Sequence, residues 1–376
     1  MPHYVAGGKL FAAGAQSALD SPPLHPHAPS MQKTFSQSLN RGLVQPLLAG
    51  AALVFSTIVS FGDIAVKDGQ KIAFMGDSIT AGGWGSPAGY VHLVIAGLDA
   101  NGVKAKPIPA GIGGHKSNNM LERLQRDALD KHPDWMTLSC GVNDVWHGPN
   151  GVPLDRYKTN ITAIIDQCQA AGVKVMILTS TVIGEELDND NNKKLAPYNA
   201  FLAELAKEKK CLFADLNGLF QEAIKAHAAA GGKAGRLLTS DGVHMNPAGD
   251  QLMARGLLLA FGLDDGQMKK AQEAWLDLPG GGTVKAAFDA GAGKALKASH
   301  PVTLRQRAKL QALAAKENQT LEALLNAAYA GDVKALLQPA GEYESAAAIF
   351  TAKKEKEVQS ALQQKFGKRV EEMLQK

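Results

Sequence analysis

Cysteine is scarce: the 376 residues contain only Cys140, Cys168 and Cys211. They stand far apart and form neither a Cys-x-x-Cys pair nor a metal-ligand spacing, so they read as structural thiols. Charge of one sign is also missing. A formal net charge of +4, without a basic stripe interleaved with aromatics, argues against a nucleic-acid partner. Metal patterns start and then fail. Asp188-Asn189-Asp190-Asn191-Asn192 opens like a calcium loop, but Lys193 stands where such a loop needs glycine and no glutamate closes it. It reads as a solvated loop. His115 and His147 have no acid or histidine fixed at ligand spacing. No metal and no cofactor are therefore expected. Beyond one N-terminal segment no run is apolar enough to cross a bilayer, and the body of the chain is expected to be soluble.

That segment sits within residues 1–62. Residues 1–30 carry Ser21-Pro22-Pro23 and His25-Pro26-His27 with little apolar periodicity, which makes them a leader, or places the true start at Met31. Lys33 and Arg41 then precede an apolar stretch from Leu43 to Phe61, followed by Gly62 and Asp63. Positive residues, an apolar stretch and small residues in that order describe an export signal, with a periplasmic or extracellular destination. Gln45 and Pro46 interrupt the stretch, so a membrane anchor is the alternative.

From Asp63 the chain alternates. Strands are predicted at Lys71–Met75, Lys104–Ala110, Trp135–Cys140, Val173–Ser180 and Cys211–Ala214, each short, apolar and bounded by turn residues. Helices are predicted near Tyr90–Ala100, Ser117–Asp130, Asp155–Ala171 and Lys193–Lys209, where apolar residues recur at three and four. Parallel pairing needs a crossover, so strict alternation implies an α/β fold: a doubly wound parallel sheet covered on both faces. A last helix begins at Pro247 and closes this domain, 63–263, near Leu263. Residues 264–376 are rich in helix formers, and strands are expected to stop there, giving a helical C-terminal extension of unassigned role. Val358, Leu362, Phe366 and Val370 form a stripe that covers the α/β domain, neighbouring helices or a second subunit; the oligomeric state is open.

Chemistry gathers at the predicted strand ends. The first strand stops at Gly76-Asp77-Ser78, at the sheet edge where open α/β folds bind ligands, although Ser78 as a plain helix cap is the competing reading. A serine nucleophile needs a base. Asp241-Gly242-Val243-His244 supplies an imidazole and an acid able to fix its tautomer. Donors for an oxyanion are offered by Gly111-Ile112-Gly113-Gly114 after the second strand and by Gly141-Val142-Asn143-Asp144 after the third. Trp84 and Trp146 follow two of these blocks closely and serve either as core or as an aromatic wall for a sugar ring. Thr80 occupies the second glycine of a Gly-x-Ser-x-Gly elbow, which argues against an ordinary α/β-hydrolase.

Taken together, these four blocks resemble the SGNH (GDSL-type) hydrolase family of esterases and lipases, over roughly residues 71–263. The resemblance implies a flavodoxin-like sandwich with Ser78 as nucleophile, His244 as base and Asp241 as its orienter. It implies an oxyanion hole of the Ser78 N–H, the Gly114 N–H and the Asn143 side chain. Pro109-Ala110 replace an Asn frequent before the glycine block, so Gly113 stays open as an alternative to Gly114. The expected function is a secreted serine esterase, with deacetylation of a carbohydrate favoured from the resemblance of Gly141-Val142-Asn143-Asp144-Val145-Trp146-His147 to carbohydrate-esterase members of the family. A lipid or acyl-thioester hydrolase, or a non-catalytic wall-binding protein on the same fold, are the alternatives. A histidine base requires activity to fall as pH drops through the imidazole range.

Overall fold

The computed structural model describes residues 63–233, 235–289, 295–337 and 352–375. The expected leader and export signal lie outside them. Five parallel strands, β1 (Lys71–Gly76), β2 (Lys106–Gly111), β3 (Trp135–Ser139), β4 (Lys174–Leu178) and β5 (Leu212–Ala214), form one sheet in the order β2-β1-β3-β4-β5. Their sequences are short apolar runs because both faces are covered. Alternation divides them cleanly. Ile72 and Phe74 of β1 enter one core, while Ala73 and Met75 enter the other.

The crossovers and the helices that follow β5 supply the two covers. The first core takes Val91 and Leu98 of α2 (Tyr90–Asp99), Phe220 of α7 (Leu216–Ala229) and Met253 and Leu257 of α8 (Pro247–Ala260). The second takes Met120 and Leu124 of α3 (Ser117–Asp127), Ile161 and Ile165 of α5 (Leu154–Ala170) and Leu202 of α6 (Asp190–Glu208). Each fully buried side chain of this kind contributes about 1.5–3 kcal/mol. Two shorter helices, α1 (Ser78–Gly85) and α4 (Val142–Trp146), follow β1 and β3 directly. The chain steps one way across the sheet from β1 to β2 and the other way from β3 to β4 and β5, so the carboxyl ends of β2, β1 and β3 meet at the topological switch point, where open α/β sheets have their ligand crevice.

Residues 188–192 are not a free loop. Asn189 caps α6, accepting from the Asn192 N–H at 2.8 Å, and the Asn192 side chain accepts from the Ile183 N–H at 2.9 Å. The run of Asp and Asn is helix-capping chemistry, which explains its likeness to the start of a calcium loop.

The first core continues past Leu263 into α9 (Asp265–Trp275), whose Trp275 indole donates to the Leu93 carbonyl at 2.8 Å. Beyond it the expectation of helix alone is corrected. β6 (Thr283–Asp289) and β7 (Ala295–Pro301) form an antiparallel hairpin, followed by α10 (Leu304–Lys316), α11 (Leu321–Leu337) and α12 (Ala352–Gln375). Val284, Ala286, Leu296 and Ala298 face a separate core with Tyr329, Leu362, Phe366 and Val370. The α12 stripe thus covers this hairpin and its neighbouring helices. Side-chain amides close the hairpin edges: Asn326 accepts from the Ala287 N–H at 3.2 Å, Gln363 exchanges two bonds with the Ser299 backbone, and Gln359 donates to the Lys297 carbonyl.

Candidate active site

The crevice begins at the end of β1. Asp77 is the N-cap of α1, its Oδ1 accepting from the Ile79 N–H at 2.9 Å. Ser78 is the first residue of that helix, so the capping role belongs to its neighbour and the Ser78 hydroxyl is left for other partners. It has one. His244 Nε2 stands 2.9 Å from Ser78 Oγ, across 166 positions of sequence.

His244 lies in the turn between α7 and α8, and local bonds determine its pose. Asp241 Oδ1 accepts from the backbone N–H groups of Val243 and His244 at 2.9 and 2.8 Å, while Oδ2 sits 2.6 Å from His244 Nδ1. The carboxylate can only accept, so Nδ1 carries the proton and Nε2 is free to accept from the serine hydroxyl. Burial pushes the Asp241 carboxyl up, but the bonds from the His244 ring and the two backbone N–H groups outweigh it, and the net result is about 2. The acid is therefore ionised throughout the working range of an imidazole. Gly242 makes the turn possible with φ +104°, and its carbonyl accepts from the Gly184 N–H at 2.7 Å.

Glu185 holds this turn from outside. Its carboxylate accepts from the N–H groups of Leu237, Leu238 and Thr239 at 2.7–2.9 Å and from the Thr239 hydroxyl at 2.6 Å. Nothing in the sequence singled it out. Three successive N–H groups in a nest make a carboxylate socket that exists only once positions 185 and 237–239 meet.

The other two strand ends bring the glycine block and Asn143. After β2, the Ile112 N–H donates to the Gly76 carbonyl at 3.1 Å and the His115 N–H to the Ile112 carbonyl at 3.3 Å, with Gly114 at φ +75° inside that turn. Neither the Gly113 nor the Gly114 N–H has an acceptor among the described residues. A Cβ at Gly113 would come within 3.8 Å of the Ser78 Cβ, so this turn lies directly against the serine. After β3, Asn143 is buried on α4, with Nδ2 3.3 Å from Asp77 Oδ2 and 3.2 Å from the His115 carbonyl.

Arg123 of α3 ties two of these ends together. Its buried guanidinium donates to the carbonyls of Gly76 and Ala110, each at 2.8 Å, and its Nε donates to His115 Nδ1 at 3.0 Å. Burial first, and then the Arg123 charge, hold the His115 pKa below its usual value, so this ring is a neutral acceptor. Among the described residues no group of three or more His, Cys, Asp or Glu is arranged to hold a metal ion. Trp84 and Trp146 are 37% and 44% exposed, which removes them from the core. Trp84 stacks on His92 with ring centroids 4.6 Å apart.

A serine, an imidazole and a carboxylate in hydrogen-bonded series, beside unpaired backbone N–H groups, form a constellation suited to acyl transfer. Comparison with known proteins agrees. Residues 74–252 match a family model described as the GDSL-like lipase/acylhydrolase family. An acetylxylan esterase of Geobacillus stearothermophilus is 25% identical over 218 residues, spanning 53% of this chain and 97% of that protein. An uncharacterized lipoprotein, YqeF, of Bacillus subtilis (strain 168) is 25% identical over 182 residues, 42% of this chain and 72% of that protein. Among solved structures, the acetyl xylan esterase AlAXEase is 32% identical, with a TM-score of 0.48, covering 50% of this chain and 98% of its own. With an α/β sandwich of this strand order, the family's domain matched over residues 74–252 and an acetylxylan esterase among its relatives, the chain belongs to the GDSL-like (SGNH) hydrolases and is an ester-hydrolysing enzyme.

Proposed function

We propose that the chain is an exported serine esterase that removes acetyl groups from a carbohydrate through an acyl-enzyme intermediate. The observation that carries the mechanism is the relay of 2.9 Å from Ser78 Oγ to His244 Nε2 and 2.6 Å from His244 Nδ1 to Asp241. Ser78 Oγ attacks the ester carbonyl as its proton passes to His244 Nε2, and Asp241 stabilises the resulting imidazolium. The N–H groups of Ser78 and Gly114, with Gly113 as alternative to Gly114, and the Asn143 amide receive the negative oxygen, each donor contributing on the order of 10²–10³ in rate. His244 then protonates the departing sugar hydroxyl. Water attacks the acetyl-serine by the same proton route in reverse, releasing acetate.

The choice of substrate rests on the relatives named as acetylxylan esterases and on two exposed indoles beside the catalytic blocks. Export rests on the charge and hydropathy order of residues 31–63 and on the lipoprotein relative, while no described helix is long and apolar enough to cross a membrane. The test is release of acetate from acetylated xylo-oligosaccharides by the full chain, compared with para-nitrophenyl acetate, a lipid ester and an acyl thioester. Faster turnover of the lipid ester or thioester than of any acetylated sugar would move the enzyme to another substrate class. Activity that survives in Ser78→Ala would refute the mechanism.

A further inference from the structure

The proposed mechanism leaves one buried acid at the centre of the site without a task. Asp77 is 2% exposed and lies between the nucleophile helix and the Asn143 amide. Its two oxygens are divided: Oδ1 accepts from the Ile79 N–H at 2.9 Å, and Oδ2 accepts from Asn143 Nδ2 at 3.3 Å. A carboxylate accepts on both oxygens, whereas an amide has a donor side and an acceptor side. The contact therefore discriminates between the two orientations of the Asn143 side chain.

We propose that Asp77 is a positioning residue for catalysis, whose carboxylate keeps the Asn143 amide turned so that an N–H, and not the carbonyl, faces the acyl oxygen. This rests on the reading of Asn143 as an oxyanion donor. The second Nδ2 hydrogen is directed at the His115 carbonyl, a neutral acceptor, at 3.2 Å. A developing oxyanion is the stronger acceptor and takes over that hydrogen, while the carboxylate retains the other. A reversed amide would set its oxygen against the oxyanion, replacing attraction with repulsion. The carboxylate itself is costly to bury. Burial, and then the Asp144 charge, raise its pKa to about 6 against the Ile79 bond, so a group of this kind is kept at the expense of stability. The charged and titratable groups around it are Asp144 on α4 and His244 on the turn before α8.

Asp77→Asn isolates the orientation. Asn is an equally good N-cap, and it must keep its oxygen toward the Ile79 N–H, which turns its own NH₂ toward Asn143. Two donors then face each other, and Asn143 is driven to reverse. With phenyl acetate as substrate, kcat should fall at least as far as in Asn143→Ala, on the order of 10²–10³, with KM changed little. The double variant should be no slower than Asn143→Ala, because the reversed amide is gone. Thermal unfolding checks that each variant folds, and Asp77→Ser, which caps the helix but has no group to orient the amide, stands in if Asp77→Asn does not. A kcat within about threefold of wild type in the folded Asp77 variant, or losses that multiply in the double variant, would overturn the proposal. Were Asn143→Ala itself silent, the oxyanion reading would fall instead, and Ser78→Ala reports independently on the nucleophile.

Discussion

Two parts of this molecule use polar side chains for opposite ends. Around the sheet edge, Arg123 and Glu185 are spent on carbonyls and N–H groups of distant turns, and Asp77 and Asp241 on N–H groups of the turns that carry Ser78 and His244, fixing segments that would otherwise only connect elements. In the region from β6 to α12, Asn326, Gln359 and Gln363 are spent on the edges of a hairpin, and the fully buried side chains among the described residues are aliphatic and aromatic. The first pattern builds a site, because polar atoms converge where backbone groups remain unpaired. The second closes a structure, because polar atoms complete ladders that have no further strand. A polar contact thus indicates chemistry only by what it leaves open.

The sharpest way to test that contrast is Ser78→Ala. Ester hydrolysis should drop by about 10⁴-fold or more, while the midpoint of thermal unfolding stays put. Its mirror image is Phe366→Ala in the C-terminal core, where the lost aromatic should cost about 3–5 kcal/mol of that unit's stability. Denaturant unfolding followed by circular dichroism would show it, and kcat on para-nitrophenyl acetate should be unchanged. A large fall in kcat would tie the two regions together functionally and end the comparison as drawn.

Asp250 gives a smaller effect with a defined sign. It lies in the first turn of α8 and accepts from the Tyr90 N–H at 2.9 Å, and burial lifts its pKa from 3.8 to about 6 against that bond. A carboxyl with a raised folded-state pKa stabilises the fold below its unfolded value and loses that contribution as pH rises through the folded one. Asp250→Asn should therefore match wild type near pH 3.5 and exceed it above pH 6, by up to about 3 kcal/mol. Urea midpoints across that range read the difference, and a constant offset would contradict it. Smallest is Glu185→Gln, which keeps the shape of the anchor but removes its charge. Weakened bonds to positions 237–239 should lower kcat about tenfold or somewhat more, with KM preserved, on the scale of a charged hydrogen bond at about 1.5–3 kcal/mol. An unchanged kcat would show that the Gly184–Gly242 backbone bond suffices to hold the His244 turn.

How much of this was legible depended on whether a residue's task is local. Gly76-Asp77-Ser78 and Asp241-x-x-His244 could be read because turn, cap and partner lie within a few positions. All five strands appeared as apolar runs for the same reason. Glu185 could not be read, since a lone glutamate acquires meaning only from N–H groups 52–54 residues away. Asp77 was passed over because the neighbouring serine claimed the motif. The hairpin was missed for another cause: Val284, Ala286 and Phe288 alternate as a strand should, but the alanines and lysines between them favour helix, and packing against α11 and α12 decided the outcome. Trp84 and Trp146 were undecidable until their exposure was known, because an indole suits a core or a rim equally well.

The 166 positions between Ser78 and His244 also determine, under the proposed mechanism, when during synthesis the nucleophile can meet its base. A nascent chain displays its serine early and lacks the base until almost the entire sandwich has been synthesised. Under the proposed mechanism, every proteolytic fragment or stalled product ending short of that histidine would be inert. Hydrolytic power would then arrive in one step, late, with closure of the last turn.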